Sequence, residues 1–325
     1  MYNFQFSKVN TRQIKKPITR DPKRVILKSY TEPIIKDMAV LLVYFNPCKY
    51  NRIIQNILTV KHLLDEGKIP YFIAEIQFND DPFLFASSDT IFQYRSNSYM
   101  FYKENLIATM ERQIAAVFTK ICMIDSDIFF DNPDWYSVIS DKLNSVQVTQ
   151  PFTRAYMLNI DYSIQDVKTN CIDKTTTNPI DYNIEHTGYL WAFDRKWFQN
   201  YHFNDKFLAC FGDTILANNI TKRVDNGLAK KIYYFNSLEK PYLEKVIYGS
   251  CDLNIYHLNH GNIINRQYTS FLQILDNLLT QLNHPNIDTI YTRRDDNILE
   301  WSPKYITRFN TIMLKYFHKR YDDSI

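Results

Sequence analysis

Two aspartates one residue apart, Asp125 and Asp127, end the apolar run in KICMIDSDIFFDNPDW. Side chains at i and i+2 of an extended chain share a face, so the two carboxylates converge. Converging carboxylates repel unless a cation or a positive side chain stands between them. A capped turn would need only one of them. A hard divalent cation shared with a nucleotide diphosphate would account for both. A remote ligand set strengthens that reading. HLNHGNIINRQY supplies His257 and His260, three residues apart, beside Gly261 and just after an expected strand. Neutral imidazole suits Mn²⁺ better than Mg²⁺, so an Asp/His set over Asp125, Asp127, His257 and His260 favours manganese, with magnesium second.

The elements that must position these residues follow from the apolar pattern. MAVLLVYF (38–45) reads as a strand buried on both faces. Ile53, Ile54, Ile57, Leu58 and Leu64 then recur at helical spacing up to a C-capping Gly67. IPYFIAEIQF (69–78) is a second strand, residues 99–118 a helix, and KICMI (120–124) a third strand. This alternation predicts an α/β protein with helices on the faces of a parallel sheet. Ligand crevices in such sheets lie beyond the carboxyl ends of the strands. Asp125 and Asp127 fall there, as do Phe45, Asn46 and Glu75. Later strands are expected at 146–152, 189–193 and 252–257, a short helix after Asp213, and a helix within 297–323. The last reads as packed on the body rather than lying on a membrane.

Composition narrows the function classes. The chain has 325 residues, 45% hydrophobic and 15% aromatic, so it can bury a large core. Its net charge of +3 gives no sign of a nucleic-acid binder. Five scattered cysteines without a CxxC pair argue against a disulfide framework or a zinc knuckle and fit a reducing compartment. Neither a signal-peptide-like start nor a membrane-length apolar run is present, which predicts a soluble protein of the cytoplasm, or of the host cytoplasm or virion if viral. With only six glycines, GxGxxG and GxxxxGK[ST] loops are absent, so phosphates must be neutralised by other means.

Read together, Asp125-Ser126-Asp127, HTGYLWAFDRKWF (186–198), FGDTILANN (211–219), HLNHGNIINRQY (257–268), YFNPC (44–48), Lys103-Glu104-Asn105-Leu106 and YFHKRYDD (316–323) resemble a GT-A fold glycosyltransferase. The nearest flavour is the galactosyltransferase-like enzymes of large DNA viruses, phages and some bacteria. The resemblance implies a Rossmann-like nucleotide-binding half with a mixed sheet (38–135), a sugar- and acceptor-shaping half (136–283) and a helical extension (284–325), forming one catalytic domain behind a basic arm (1–37). It implies transfer of galactose or glucose from a UDP-sugar to a glycan, protein or lipid hydroxyl, with inversion, and no stable membrane insertion. Asp127 would bind Mn²⁺ and Asp125 the ribose or the metal, beside Ser126. Two late ligands three residues apart, as in lactose-synthase-type galactosyltransferases, match His257 and His260. Lys103 and Arg266 become candidate cations for the diphosphate, Phe45 and Asn46 hold uracil and ribose, and Glu75 faces the base. His186 and Gly188 lie beside the donor sugar, Trp191 in the core. Asp213 is the general base, or the N-cap of its helix; the Glu-Asp-Asp of the lactose-synthase type is here this single acid. Competing readings are a nucleotidyltransferase or phosphatase using the same pair, although Phe129 departs from the haloacid-dehalogenase pattern, and an inactive carbohydrate-binding relative. Acceptor contacts are expected from a loop at 153–185.

Overall fold

The computed structural model describes residues 25–173, 178–201, 205–206, 211–223, 246–266, 268–282 and 287–324. Most of the expected basic arm, residues 1–24, lies outside these. Residues 25–37 wrap the body: Tyr30 is buried, its ring edge-on to Trp135, and its hydroxyl accepts the Phe130 amide at 3.1 Å.

The first half follows the alternation read from the apolar pattern: β1 (Met38–Tyr44), α1 (Asn51–Glu66), β2 (Tyr71–Phe78), β3 (Ile91–Ser96), α2 (Lys103–Glu111) and β4 (Lys120–Ile124). Strands β1, β2, β3 and β4 pair in parallel. All seven residues of β1 are buried, odd and even members entering different cores on the two faces of the sheet. Ile57, Val60, Leu63 and Leu64 form the buried stripe of α1, and the Gly67 amide closes that helix on the Leu63 carbonyl. The expected helix over 99–118 is shorter. Buried Arg195 ends it: its guanidinium donates to the carbonyls of Glu111, Ile114, Ala115 and Phe118, supplying from one side chain the partners a helix end lacks.

Beyond β4 come β5 (Ile128–Phe130), α3 (Trp135–Lys142), β6 (Val148–Thr149), β7 (Arg154–Leu158), β8 (Ile164–Asn170), β9 (Glu185–His186), β10 (Leu190–Asp194), α4 (Arg195–Tyr201) and α5 (Gly212–Thr221). They are followed by β11 (Tyr248–Gly249), β12 (Asn254–His257), α6 (Tyr268–Gln281), β13 (Tyr291–Arg293), β14 (Leu299–Trp301) and α7 (Ile306–Lys319). The large sheet is mixed, in the order β11-β6-β10-β4-β1-β2-β3, because β10 runs antiparallel to both β4 and β6. A second sheet has the order β5-β12-β7-β8-β9. The segment expected to be an acceptor loop, 153–185, is thus largely the β7–β8 hairpin and β9. The strand expected at 146–152 narrows to β6, since Gln150 leaves the ladder and uses its amide on the His186 and Gly188 carbonyls. The expected C-terminal helix begins only at Ile306; β14 and then Pro303 precede it, and proline disfavours helix in the residue before it. The four described cysteines are free thiols. No described helix is long and apolar enough to cross a membrane.

A buried ion pair holds β9 in place. Arg223 donates to Glu185 at 2.7 and 2.8 Å and also to the Cys171, Asn178 and Pro179 carbonyls. Removing one member of such a pair strands the other charge, at a cost of about 3–5 kcal/mol. Arg223→Ala therefore lowers the unfolding free energy by that order in urea titrations.

Candidate functional site

Two ladders bring the acidic pair to its partners. At the end of β4, the Asp125 amide donates to the Tyr189 carbonyl at 2.8 Å, which draws the 186–189 segment alongside. One residue past Asp127, Ile128 pairs with His257 in the β5–β12 ladder, and the Leu258 amide donates to the Asp127 carbonyl at 2.8 Å. The remote histidines thus meet Asp127 through a strand pairing of only three residues a side.

The two carboxylates do not share one environment. Asp125 Oδ1 lies 2.5 Å from Lys103 Nζ, which also binds Asp213 at 3.0 Å. Burial raises the Asp125 carboxyl to about 6, with Lys103 opposing and Asp213 and Asp127 reinforcing the rise. For Lys103, burial favours the neutral amine, but Asp125 and Asp213 outweigh it and hold the ammonium charged. A lysine in the first turn of a helix opposes the helix dipole, and these carboxylates offset that cost.

Asp127 faces nitrogen instead. Its Oδ2 lies 3.1 Å from His260 Nε2 and 3.6 Å from His257 Nε2. Burial disfavours its charge, but His257, His260 and Arg266 outweigh burial and keep it ionised. Burial drives the His257 imidazole down to about 3, with Asp127 opposing the fall. Arg266 Nη2 lies 2.6 Å from His260 Nε2, the same nitrogen that faces Asp127 Oδ2 and, at 3.2 Å, His257 Nε2. On the far side of the ring His260 Nδ1 lies 3.2 Å from Asp322 Oδ1; a carboxylate can only accept, so Nδ1 is the nitrogen that donates there. One donor atom from each of Asp127, His257 and His260 falls within 4.8 Å of the others. Asp127 Oδ1 is buried with no hydrogen-bond partner among the described residues. An ionised carboxylate with an unused oxygen beside two imidazole nitrogens fits a divalent ion of the manganese type. Asp125, expected among the metal ligands, stands outside this trio because Lys103 takes its carboxylate.

These groups line one cleft of about 520 Å³, within the usual range of small-ligand sites. Phe45 lies on its wall, edge-on to Phe101 and Phe317. Ser126 also lines it. So does Asn46, but its side-chain amide is engaged at both ends with the Tyr50 backbone, building the turn into α1. Glu75, expected to face the base, lies outside this cleft, where its carboxylate accepts the Leu84 and Phe85 amides. His186 stacks on Tyr189 with centroids 3.8 Å apart, accepts the Gly188 amide on Nδ1, and is driven by burial down to about 3. A Cβ on Gly188 would fall 2.9 Å from Asp213 Oδ2, so only glycine lets that carboxylate approach. Asp213 sits in the first turn of α5, but the N-cap position is Phe211; its carboxylate serves Lys103 instead. Trp191 is core, as expected.

The sequence motifs include Glu104 and Asp322 without marking either as a site residue. Both line the cleft. Glu104 lies directly against Gly212, and its Oε2 is buried without a hydrogen-bond partner among the described residues.

No family model and no curated protein matches the chain. Among solved structures, it is similar to the catalytic domain of Drosophila β1,4-galactosyltransferase 7 in complex with xylobiose, at 12% identity and TM-score 0.34 over 58% of this chain and 62% of that one. A second similar structure is S. aureus TarS 1–349, at 9% identity and TM-score 0.39 over 74% of this chain and 64% of that one. Mycobacterium tuberculosis glucosyl-3-phosphoglycerate synthase with Mn²⁺, UDP-glucose and phosphoglyceric acid is similar at 9% identity and TM-score 0.35 over 82% and 87% of the two chains. The chain thus spans less than two thirds of the first two relatives.

Burial raises the Glu104 carboxyl from its ordinary 4.5 to about 8, Lys103 only partly offsetting it. Between those two values the folded chain keeps a proton that the unfolded chain releases, so stability falls as pH rises from 4.5 to about 8. Each unit of separation is worth about 1.4 kcal/mol. The neutral isostere Glu104→Gln therefore loses less melting temperature than the wild type between pH 5 and pH 8. An equal loss in both would refute the assignment.

Proposed function

We propose that the chain is a metal-dependent GT-A glycosyltransferase that transfers a hexose, galactose or glucose, from a UDP-sugar to a hydroxyl of a glycan, protein or lipid. One observation carries this reading: the ionised, buried Asp127 keeps an oxygen unpartnered among the described residues, beside two imidazole nitrogens, inside a cleft that also offers cations and a second carboxylate. The motif resemblance supports the choice of glycosyl transfer over other diphosphate chemistry.

Asp127, His257 and His260 would hold Mn²⁺, or Mg²⁺ less well. Such an ion supplies positive charge on which a leaving diphosphate is stabilised. The chain's own groups do the rest. Phe45 and its aromatic neighbours receive the uracil, and the Asn46 turn shapes that wall. Asp125, fixed by Lys103, accepts from the ribose hydroxyls, next to Ser126. Arg266 turns its guanidinium from His260 to the diphosphate. His186 and Gly188 border the donor sugar. Asp213 takes the proton of the acceptor hydroxyl as that oxygen bonds the anomeric carbon and the bond from that carbon to the diphosphate oxygen breaks. Attack from the face opposite the leaving group inverts the anomeric centre.

Calorimetric titration with UDP tests the metal. Binding should strengthen at least tenfold with Mn²⁺ in the wild type and be insensitive to it in Asp127→Ala. UDP affinity indifferent to Mn²⁺ in the wild type would sink the site.

Turnover tests the base. Incubated with UDP-galactose or UDP-glucose, the wild type should release UDP slowly without acceptor and faster with one. Asp213→Asn should lose about 10²–10⁴-fold of the acceptor-stimulated rate, the usual worth of a general base. Release of inorganic phosphate from simple monoesters would instead favour a phosphatase.

A further inference from the structure

The last described residues leave α7 and pass directly over the candidate metal centre. Asp322 is buried, 2% exposed, and binds His260 Nδ1 at 3.2 Å. Its other oxygen accepts Arg320 Nε at 3.0 Å, so the carboxylate is oriented from behind. Asp323 binds elsewhere: it accepts the Asn51 amide at 3.0 Å and the Arg52 amide at 2.7 Å. Those are unpaired first-turn donors of α1, a helix with no acid in its first turn and no side-chain cap of its own. Ser324 Oγ accepts the Asn262 amide at 3.2 Å. Gly261 makes the passage possible. Its φ is +84°, and a Cβ there would fall 2.6 Å from the Tyr321 carbonyl oxygen and 2.9 Å from Asp322 Cα.

We infer that Asp322 is a positioning residue for the metal centre: held by a C-terminal latch of Arg320, Asp323 and Ser324, it fixes His260 with Nδ1 protonated and the Nε2 lone pair toward Asp127 and His257. The inference rests on the reading of Asp127, His257 and His260 as metal ligands. Ligand histidines are commonly held this way by a carboxylate on the far ring nitrogen, and losing that partner costs about 10–100-fold in metal affinity. Sequence spacing hides the arrangement, because the carboxylate arrives from 62 residues away.

The test uses the full chain with Mn²⁺ alone, without nucleotide, following the free-ion signal by electron paramagnetic resonance. Asp322→Ala should weaken Mn²⁺ binding about 10–100-fold. Asp322→Asn keeps an oxygen that accepts from Nδ1–H and should fall between Asp322→Ala and wild type. Long-range ¹H–¹⁵N correlation spectra should show His260 protonated on Nδ1 in the wild type and in Asp322→Asn, and a shifted tautomer balance in Asp322→Ala. Should Asp322→Ala not fold, Asp322→Asn together with Asp323→Ala carries the same comparison: the latch-release variant should bind Mn²⁺ more weakly although Asp323 touches no ligand. Wild-type affinity in Asp322→Ala, or in Asp323→Ala where the former does not fold, overturns the inference. So does an equal loss in Asp322→Ala and Asp322→Asn with an unchanged tautomer. Absence of Mn²⁺ binding in the wild type overturns the metal reading itself, a different result from a silent Asp322.

Discussion

The cleft depends on Lys103 standing between Asp125 and Asp213. Two carboxylates about 4 Å apart repel by about 4 kcal/mol at an effective dielectric of 20, and burial makes matters worse. Lys103 removes that difficulty for one of the adjacent acids only. Asp125 is turned to the ammonium, and Asp127, two positions on, is left to the imidazoles. The acidic pair therefore behaves as two sites of different character. One is a carboxylate tied to a fixed cation; the other has an oxygen without a hydrogen-bond partner among the described residues. The same ammonium holds Asp213, so the positions of Asp125 and Asp213 are set by a single side chain. Gly188 completes the arrangement by leaving room for Asp213 to approach.

Under the proposed reading, that division replaces a glycine-rich phosphate loop. Such a loop concentrates positive potential from neighbouring backbone amides in a few consecutive residues. Here the positive groups come from α2, from the turn after β12 and from an ion that the Asp/His trio can hold. They converge only when the sheets are assembled. The β5–β12 pairing, three residues a side, is the step that closes the trio.

What was legible in the sequence follows the same line. Strands β1, β2 and β4 and helix α1 announce themselves because each buries a long apolar run or stripe. Asp127, His257 and His260 are legible because few other roles need those residue types in that order. The β7–β8 hairpin is not, since β8, IQDVKTN, is mostly exposed and carries polar and apolar residues without a core face. Strands of two or three residues, such as β9 and β5, are too short for any periodicity. Glu75 stands inside β2, paired with Tyr44 and Gln93, and the backbone amides that take its carboxylate lie in a loop whose path cannot be read from spacing. Glu104 and Asp322 acquire their surroundings from chain segments far away in sequence, so nothing local marks them.

The C-terminal segment ties the two ends of the cleft together. Tyr50, the last residue before α1, hydrogen-bonds with its hydroxyl to the Phe317 and His318 carbonyls. Its backbone meanwhile holds Asn46, and Phe45 packs against Phe317, so α7 braces the aromatic wall. Just past the end of that helix, the same tail braces His260 and caps α1. A displacement of α7 would therefore disturb the aromatic wall and the imidazole pair at once, although they are built on different sheets. The two halves of the cleft are coupled through a tail that belongs to neither.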